Sequence, residues 1–225
     1  MIHAIYSRYT GVAAFLFFSF CASAYSGVWV ELKNQETIEL QQVEDLSTNL
    51  DSDLTLGLDA FEGAFVEVSE AELIENFGES KDIRAYYSNL FEEDDVALFR
   101  DGKMTWIRAF LKGDLVGWMT LLPQFREERT VYVSSLVVSP QKQKLGIGQK
   151  LLESISQHWF PKSKELNLVV RKINRGAIHF YTRIGFVAAP DINSSFVGNP
   201  LLCFFMRLVK QVNLSATVAA TGQPL

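Results

Sequence analysis

The chain has 225 residues, 48% hydrophobic and 21% charged, which describes an ordinary folded protein rather than a disordered one and gives enough chain for one substantial core but not clearly for two. A formal charge of −5 excludes bulk attraction to nucleic acid. The two cysteines, Cys21 and Cys203, give no disulfide framework, because the first lies in an N-terminal apolar run and the second is then alone.

Arg8 is followed by no charged residue until Glu31. A basic start, the apolar run from Gly11 to Cys21 and the small-residue pattern Ala22-Ser23-Ala24 have the form of a secretory signal peptide over residues 1–24, cut after Ala24. This predicts an exported protein, periplasmic or secreted. Phe20 does not suit a lipoprotein site at Cys21. Two alternatives stand beside export. One is an uncleaved anchor from Gly11 to Val30, barely long enough to span a bilayer, which would give membrane contact through the N-terminus. The other is a cytoplasmic protein beginning near Val28 after a misassigned start codon.

A single domain is expected over residues 35–210. Thr37 to Val43 alternates like a half-buried strand, and Glu44 to Phe65 reads as loosely helical. Ser69-Glu-Ala-Glu72 has capping-box spacing and begins a helix. A second helix is expected from Asp82 to Phe91, with Tyr86, Leu90 and Tyr87 on its inner face. The acidic run Glu92 to Asp95 reads as a solvated helix end, or as an attraction for a cationic amine. Lys112-Gly-Asp114 joins two strands, Thr105 to Leu111 and Leu115 to Leu122, as a hairpin. A strand from Val131 to Val138, a helix from Gly148 to about Trp159 and a short strand from Leu166 to Val170 follow. Asn174 reads as an N-cap. Ala177, Phe180, Tyr181 and Ile184 then share one helix face, and Gly185 suits the left-handed position that ends the helix. Phe186 to Ala189 and Leu201 to Val209 close the pattern, and residues 211–225 form a small, polar tail. Cys203, inside an apolar strand, reads as a buried structural thiol.

The most informative stretch runs from Leu136 to Leu152. It reads as an apolar strand, a basic glycine-containing loop and the first turn of an amphipathic helix. Such a loop presents backbone N–H groups and a helix N-terminus to one point, where an anion binds. It is not a Walker loop, since no Gly-Lys-Ser/Thr follows. It is not the dinucleotide fingerprint either, since Leu151 stands where the third glycine is needed. No cluster has metal-ligand spacing, so no metal is expected, and no Gly-x-Ser-x-Gly elbow marks a hydrolase.

Gln143-Lys-Leu-Gly146-Ile-Gly148, with Leu136, Val138 and Pro140 before it and Leu151-Leu152 after it, resembles the acetyl-coenzyme A signature of the GNAT superfamily of N-acetyltransferases. Asn174-Arg-Gly-Ala-Ile-His-Phe180-Tyr181-Thr-Arg-Ile-Gly185-Phe186 resembles that family's second segment. The resemblance extends from the Gly113 hairpin and Val116-Gly117 to the closing strands and barely constrains Thr37 to Glu92. Gln143 stands for the commoner arginine. Lys144 stands where many members have a glycine; it keeps its N–H and adds positive charge.

The resemblance implies an α+β fold: a mixed, mostly antiparallel sheet with a splayed central parallel strand pair, flanked by helices. It implies transfer of an acetyl group from acetyl-CoA, used as co-substrate, to a primary amine of a small molecule or protein by direct attack. Main-chain groups at Leu136 and Val138 would pair with the pantetheine arm, and Val137 between them belongs to the same cofactor-binding stretch. The backbone N–H groups of Gln143, Lys144, Leu145, Gly146, Ile147 and Gly148 would hold the pyrophosphate, the two glycines letting the backbone approach. Asn174 would contact the arm from the far side. Tyr181 would protonate the departing thiolate, the alternative being a packed aromatic. Glu127 and Glu128 read as solvated loop acids, and His158 and His179 as surface histidines, so no base is assigned. Other readings are transfer of a longer acyl chain and a non-catalytic, exported binding module that keeps the fold.

Overall fold

The computed structural model describes residues 27–47, 49–79, 81–124, 127–190 and 202–209. The leader expected over residues 1–24, residues 193–200 and the tail lie outside the described residues. Eight strands form one sheet: β1 (Val28–Glu31), β2 (Thr37–Gln42), β3 (Thr105–Leu111), β4 (Asp114–Pro123), β5 (Thr130–Val138), β6 (Glu165–Arg171), β7 (Val187–Ala188) and β8 (Cys203–Val209). Their order is β1-β2-β3-β4-β5-β6-β8-β7. Only β5 and β6 are parallel; every other neighbouring pair runs antiparallel. This is the mixed sheet that the resemblance implies. β1 was not anticipated. Val28–Glu31 pairs with Leu40–Thr37, so the sheet begins ahead of Gln35, in residues that read as the trailing end of an apolar leader.

The helices cover both faces. On one lie α1 (Leu50–Gly63), α2 (Glu70–Phe77), α3 (Ile83–Asn89) and α4 (Val96–Arg100); on the other lie α5 (Ile147–Ser154) and α6 (Arg175–Arg183). The start of α2 is the expected capping box, in which Ser69 Oγ accepts from Glu72 N–H and the Glu72 carboxylate accepts from Ser69 N–H. Asp82 caps α3 by accepting from Ala85 N–H at 2.8 Å. α3 does not stop at Phe91 as the sequence suggests. It continues through a π-helical turn, Leu90–Asp95, into α4. Tyr87 and Phe91 are its buried aromatics, whereas Tyr86 is 43% exposed, which corrects its expected inward placement.

The two cores follow from strand alternation. On β3 and β4, Ile107, Ala109 and Met119 face α5 and α6, joining Ile147, Leu151, Leu152 and Ile155. Trp106 and Trp118 face the opposite way, into a core with Ala60, Phe65, Tyr87, Phe91 and Val96. Arg108 shares that second face and forms a bidentate, buried ion pair with Asp53 of α1, Nε to Oδ1 at 3.0 Å and Nη2 to Oδ2 at 2.6 Å. Trp118 Nε1 donates to the Asp53 carbonyl at 2.8 Å. α1 is thereby fixed across β3 and β4. The far end of β6 is tied to α2 and α3 by Arg171, whose guanidinium lies 4.5 Å from the Phe77 ring centre and 4.6 Å from that of Tyr86 and donates to the Asn76 carbonyl at 3.1 Å.

Removing one partner of a buried pair leaves an uncompensated charge. Asp53→Ala should therefore lower the unfolding free energy by about 3–5 kcal/mol, read as a shifted urea midpoint.

Candidate active site

The site is a fork in the sheet. β5 and β6 pair only at Thr130↔Glu165, Val131↔Leu166 and Tyr132↔Asn167. Beyond that point β5 continues to Val138 along β4, and β6 continues to Arg171 along β8. The outer edges stay paired while the inner edges part. A bulge sits just past the fork: Thr120 pairs with Ser135 and Leu121 with Val133, leaving Ser134 as the extra residue. A bulge bends its strand and increases local twist, which turns β5 away from β6. Leu136, Val137 and Val138 thus lie on the diverging arm of the fork. The side chains of Leu136 and Val138 pack toward α5 and α6, and that of Val137 packs toward the other core.

The glycine-containing loop carries β5 into α5. Pro140–Lys142 forms a single 3-10 turn. Lys144 and Gly146 take positive φ, 66° and 93°, and Gly146 precedes α5 with no side chain capping it. Among the described residues, none of the backbone N–H groups of Gln143, Lys144, Leu145, Gly146, Ile147 and Gly148 has a hydrogen-bond partner. Successive free N–H groups at a helix N-terminus form an anion cradle. The two glycines serve different ends. At Gly146 an added Cβ would meet nothing closer than 4.0 Å, so the left-handed φ is what requires glycine. At Gly148 an added Cβ would press on Phe180 at 3.3 Å and Val138 at 3.5 Å, so that residue serves the packing of α5 on α6 and β5.

β6 leads into α6 on the other side of the fork. Asn174 caps the helix, its Oδ1 accepting from Ala177 N–H at 3.0 Å, so the side-chain oxygen is committed to the fold. Ala177, Phe180, Tyr181 and Ile184 all pack on the core shared with α5. The Tyr181 ring lies 5.2 Å from Phe180 and 5.5 Å from Phe186, centre to centre. Burial pushes its phenol above the usual tyrosine value, so the group holds its proton across the physiological range.

On the opposite face, Asp95 is 1% exposed. Its carboxylate accepts from Ser134 Oγ at 2.9 Å, Ser135 Oγ at 3.0 Å and Thr120 Oγ1 at 3.0 Å. Burial pushes its carboxyl up to about 6, against the three hydroxyl donors, which lower it. Burial pushes the phenol of Tyr132, at the last paired position of β5, above the usual tyrosine value, and the nearby Asp95 carboxylate raises it further. The fork is thus where groups from the helical layers and both strands meet. Asn167, opposite Tyr132, is 2% exposed, and its Oδ1 has no partner among the described residues. Cys203 is half-buried, and burial raises its thiol.

Residues 66–186, more than half of the chain, match the model of the Acetyltransferase (GNAT) family. The chain belongs to the GNAT acetyltransferase family. Solved structures share the fold. The PaiA N-acetyltransferase of Thermoplasma acidophilum, in complex with coenzyme A, has a TM-score of 0.56 at 17% identity over 76% of this chain and 99% of its own. A GCN5-related N-acetyltransferase from Rhodopseudomonas palustris has a TM-score of 0.55 at 16% identity over 81% of this chain and 98% of its own. No curated protein matches the chain in sequence.

Within this GNAT fold, the two segments singled out in the sequence lie on the two sides of the fork. Glu127, Glu128, His158 and His179 are exposed, in keeping with their reading as surface groups. Asp95 departs from expectation. The acidic run that contains it is no solvated helix end, because the π-helical turn carries it into α4 and buries this carboxylate. Its spacing is the signal: Tyr87, Phe91 and Asp95 recur every fourth residue, which places the acid on an apolar stripe. Asn167 carries no comparable signal, being one polar residue within an apolar strand.

The raised Asp95 carboxyl fixes the sign of a pH effect. Between the ordinary value of 3.8 and about 6, the folded state binds a proton that the unfolded state has released, so stability falls as pH rises through that window, by about 3 kcal/mol from this group. Asp95→Asn should accordingly be more stable than the wild type at neutral pH and lose that advantage below the ordinary carboxylate value, as read from urea midpoints along a pH series.

Proposed function

We propose that this GNAT protein transfers an acetyl group from acetyl-CoA to a primary amine by direct attack. The observation that carries the reading is the juxtaposition of two binding elements. A strand fork whose inner edges are unpaired among the described residues opens beside six N–H groups that likewise have no partner among them, at the start of α5. An arm of amide groups lying along β5 finds main-chain partners at Leu136 and Val138, as an added strand would, because Ser139 N–H donates to Val116 on β4 and so Val137 turns its main chain to β4 as well. A pyrophosphate following that arm reaches Gln143 to Gly148, where the α5 dipole and the Lys144 charge favour it. The Asn174 amide nitrogen, its oxygen being committed to the cap, is a donor to the arm from the α6 side.

Acetyl-CoA supplies an acyl carbon activated as a thioester. The protein orients that carbon at the fork and manages two protons. The amine must be neutral to attack, and the leaving sulfur needs a donor. Tyr181 is a protonated phenol on the α6 side, raised by burial, and so acts as a hydrogen-bond donor to developing negative charge on sulfur. The acceptor is a small molecule or protein that bears an amine. The N-terminal pattern ending at Ala24 supports export; mass spectrometry of the native N-terminus tests it, a start at Tyr25 supporting cleavage and an intact Met1 opposing it.

Calorimetric titration of folded wild-type protein with acetyl-CoA should show one-to-one binding, and the absence of binding would sink the proposal. Tyr181→Phe should bind acetyl-CoA as the wild type does yet turn over about 100-fold more slowly, the scale of one lost proton donor. Equal loss of binding and turnover would make Tyr181 a packing residue.

A further inference from the structure

An amine acceptor arrives as an ammonium ion, since alkylamines hold their proton to about pH 10, so the site needs a place to put that proton. Resting on the acetyl-transfer reading, we propose that Asp95, acting through the hydroxyl of Ser134, receives the proton the acceptor amine sheds before it attacks.

Three observations carry this. The first is the company Asp95 keeps. Asp53, the other fully buried carboxylate among the described residues, is matched by a bidentate arginine. Asp95 is equally buried but makes no ion pair among the described residues. Its partners are three hydroxyls from two strands. A buried carboxylate with no counter-charge is costly, and nothing in the packing of α4 requires one there.

The second is the position of Ser134. It is the bulged residue of β5, two places beyond the last pair with β6. It is half-buried, whereas Ser135 and Thr120, which bond the same carboxylate, are 3% and 0% exposed. Of the three hydroxyls on Asp95, Ser134 is therefore the one at the opening.

The third is the neighbourhood. Tyr132 and Asn167 close the fork on this face, and the unpartnered Asn167 Oδ1 is an acceptor suited to an N–H donor. The groups that bear on Asp95 are Asp94 beside it in the chain, Thr120 from β4, and Tyr132, Ser134 and Ser135 from β5. None is cationic. An ammonium here completes a charge balance that the protein leaves open.

The transfer balances without a further reagent. An ammonium proton moves to Ser134 Oγ as the Ser134 proton moves to Asp95 Oδ1, leaving a neutral amine and a neutral carboxylic acid. The carboxyl, held near 6 by burial, takes a proton more readily than an ordinary aspartate and returns it to water at neutral pH. Asp95 is thus a positioning residue at the end of a two-link path, and Ser134 is the link that touches the acceptor.

The test follows thiol release from acetyl-CoA with propylamine as surrogate acceptor, or with water as the nucleophile where propylamine is refused, across a pH series. The wild-type rate should fall on the acid side with a midpoint near 6. Asp95→Asn, which keeps the shape and one accepting oxygen but cannot take up the proton, should lose this acid limb and slow at least about tenfold at neutral pH, with acetyl-CoA affinity unchanged by calorimetry. Ser134→Ala should slow comparably, while Ser135→Ala, bonded to the same carboxylate but turned away from the opening, should stay within about twofold. This pair keeps the test decisive should Asp95→Asn fail to fold. A wild-type pH profile in Asp95→Asn, or equal effects of the two serine substitutions, would overturn the role. Wild-type protein that does not bind acetyl-CoA would instead overturn the acetyl-transfer reading beneath it.

Discussion

Parallel pairing between β5 and β6 ends after three residues, and the rest of the molecule is arranged around that ending. An unpaired strand edge inside a fold is ordinarily a liability, because its N–H and C=O groups seek partners. Here each arm is stabilised from its outer side, β5 by β4 and β6 by β8, so the inner edges stay apart without either strand losing its place. The bulge at Ser134 supplies the bend. The same bend sends β5 toward the loop that starts α5, so the free edges and the free helix N-terminus fall next to each other.

The two faces of the sheet divide the labour. Toward α5 and α6 the core is aliphatic and aromatic, and its polar side chains, such as Ser154 between Leu151 and Trp159, carry no charge. Toward α1–α4 the sheet carries charge, and it does so in two opposite ways. Asp53 is matched by Arg108 and locks a helix to the sheet. Asp95 is surrounded by hydroxyls that offer protons but no charge. Burial raises both carboxyls, but an arginine charge opposes the effect at Asp53 and only hydroxyls oppose it at Asp95.

Much of this was legible in the sequence because the signals are local. The capping box at Ser69, the Lys112–Asp114 hairpin, the Asn174 cap and the φ of 101° at Gly185 are each set by a few adjacent residues, and the glycine-containing loop announces a helix N-terminus. What was not legible depends on distant partners. β1 looks like the end of an apolar leader until β2 is beside it. Tyr86 and Tyr87 cannot be told apart until a π-helical turn sets the phase of the helix and Arg171 claims Tyr86. Asp95 reads as one more member of an acidic run, and only three hydroxyls brought from β4 and β5, across 25 to 40 residues of chain, reveal it. At Gly148 the sequence does not show a further demand, the close approach of Phe180 and Val138.

The Arg171 stack has a mechanical consequence. α1 packs on β4, β5 and α3, and Phe77 and Tyr86, from the ends of this helical layer, grip a guanidinium that grows from β6. The two arms of the fork are therefore joined twice, by the pairs at the base and by a brace of helices overhead. A strand pair held at both points is an arch of fixed span rather than a hinge. Folding itself sets that span, which is the kind of preorganisation that lowers the ordering cost of binding.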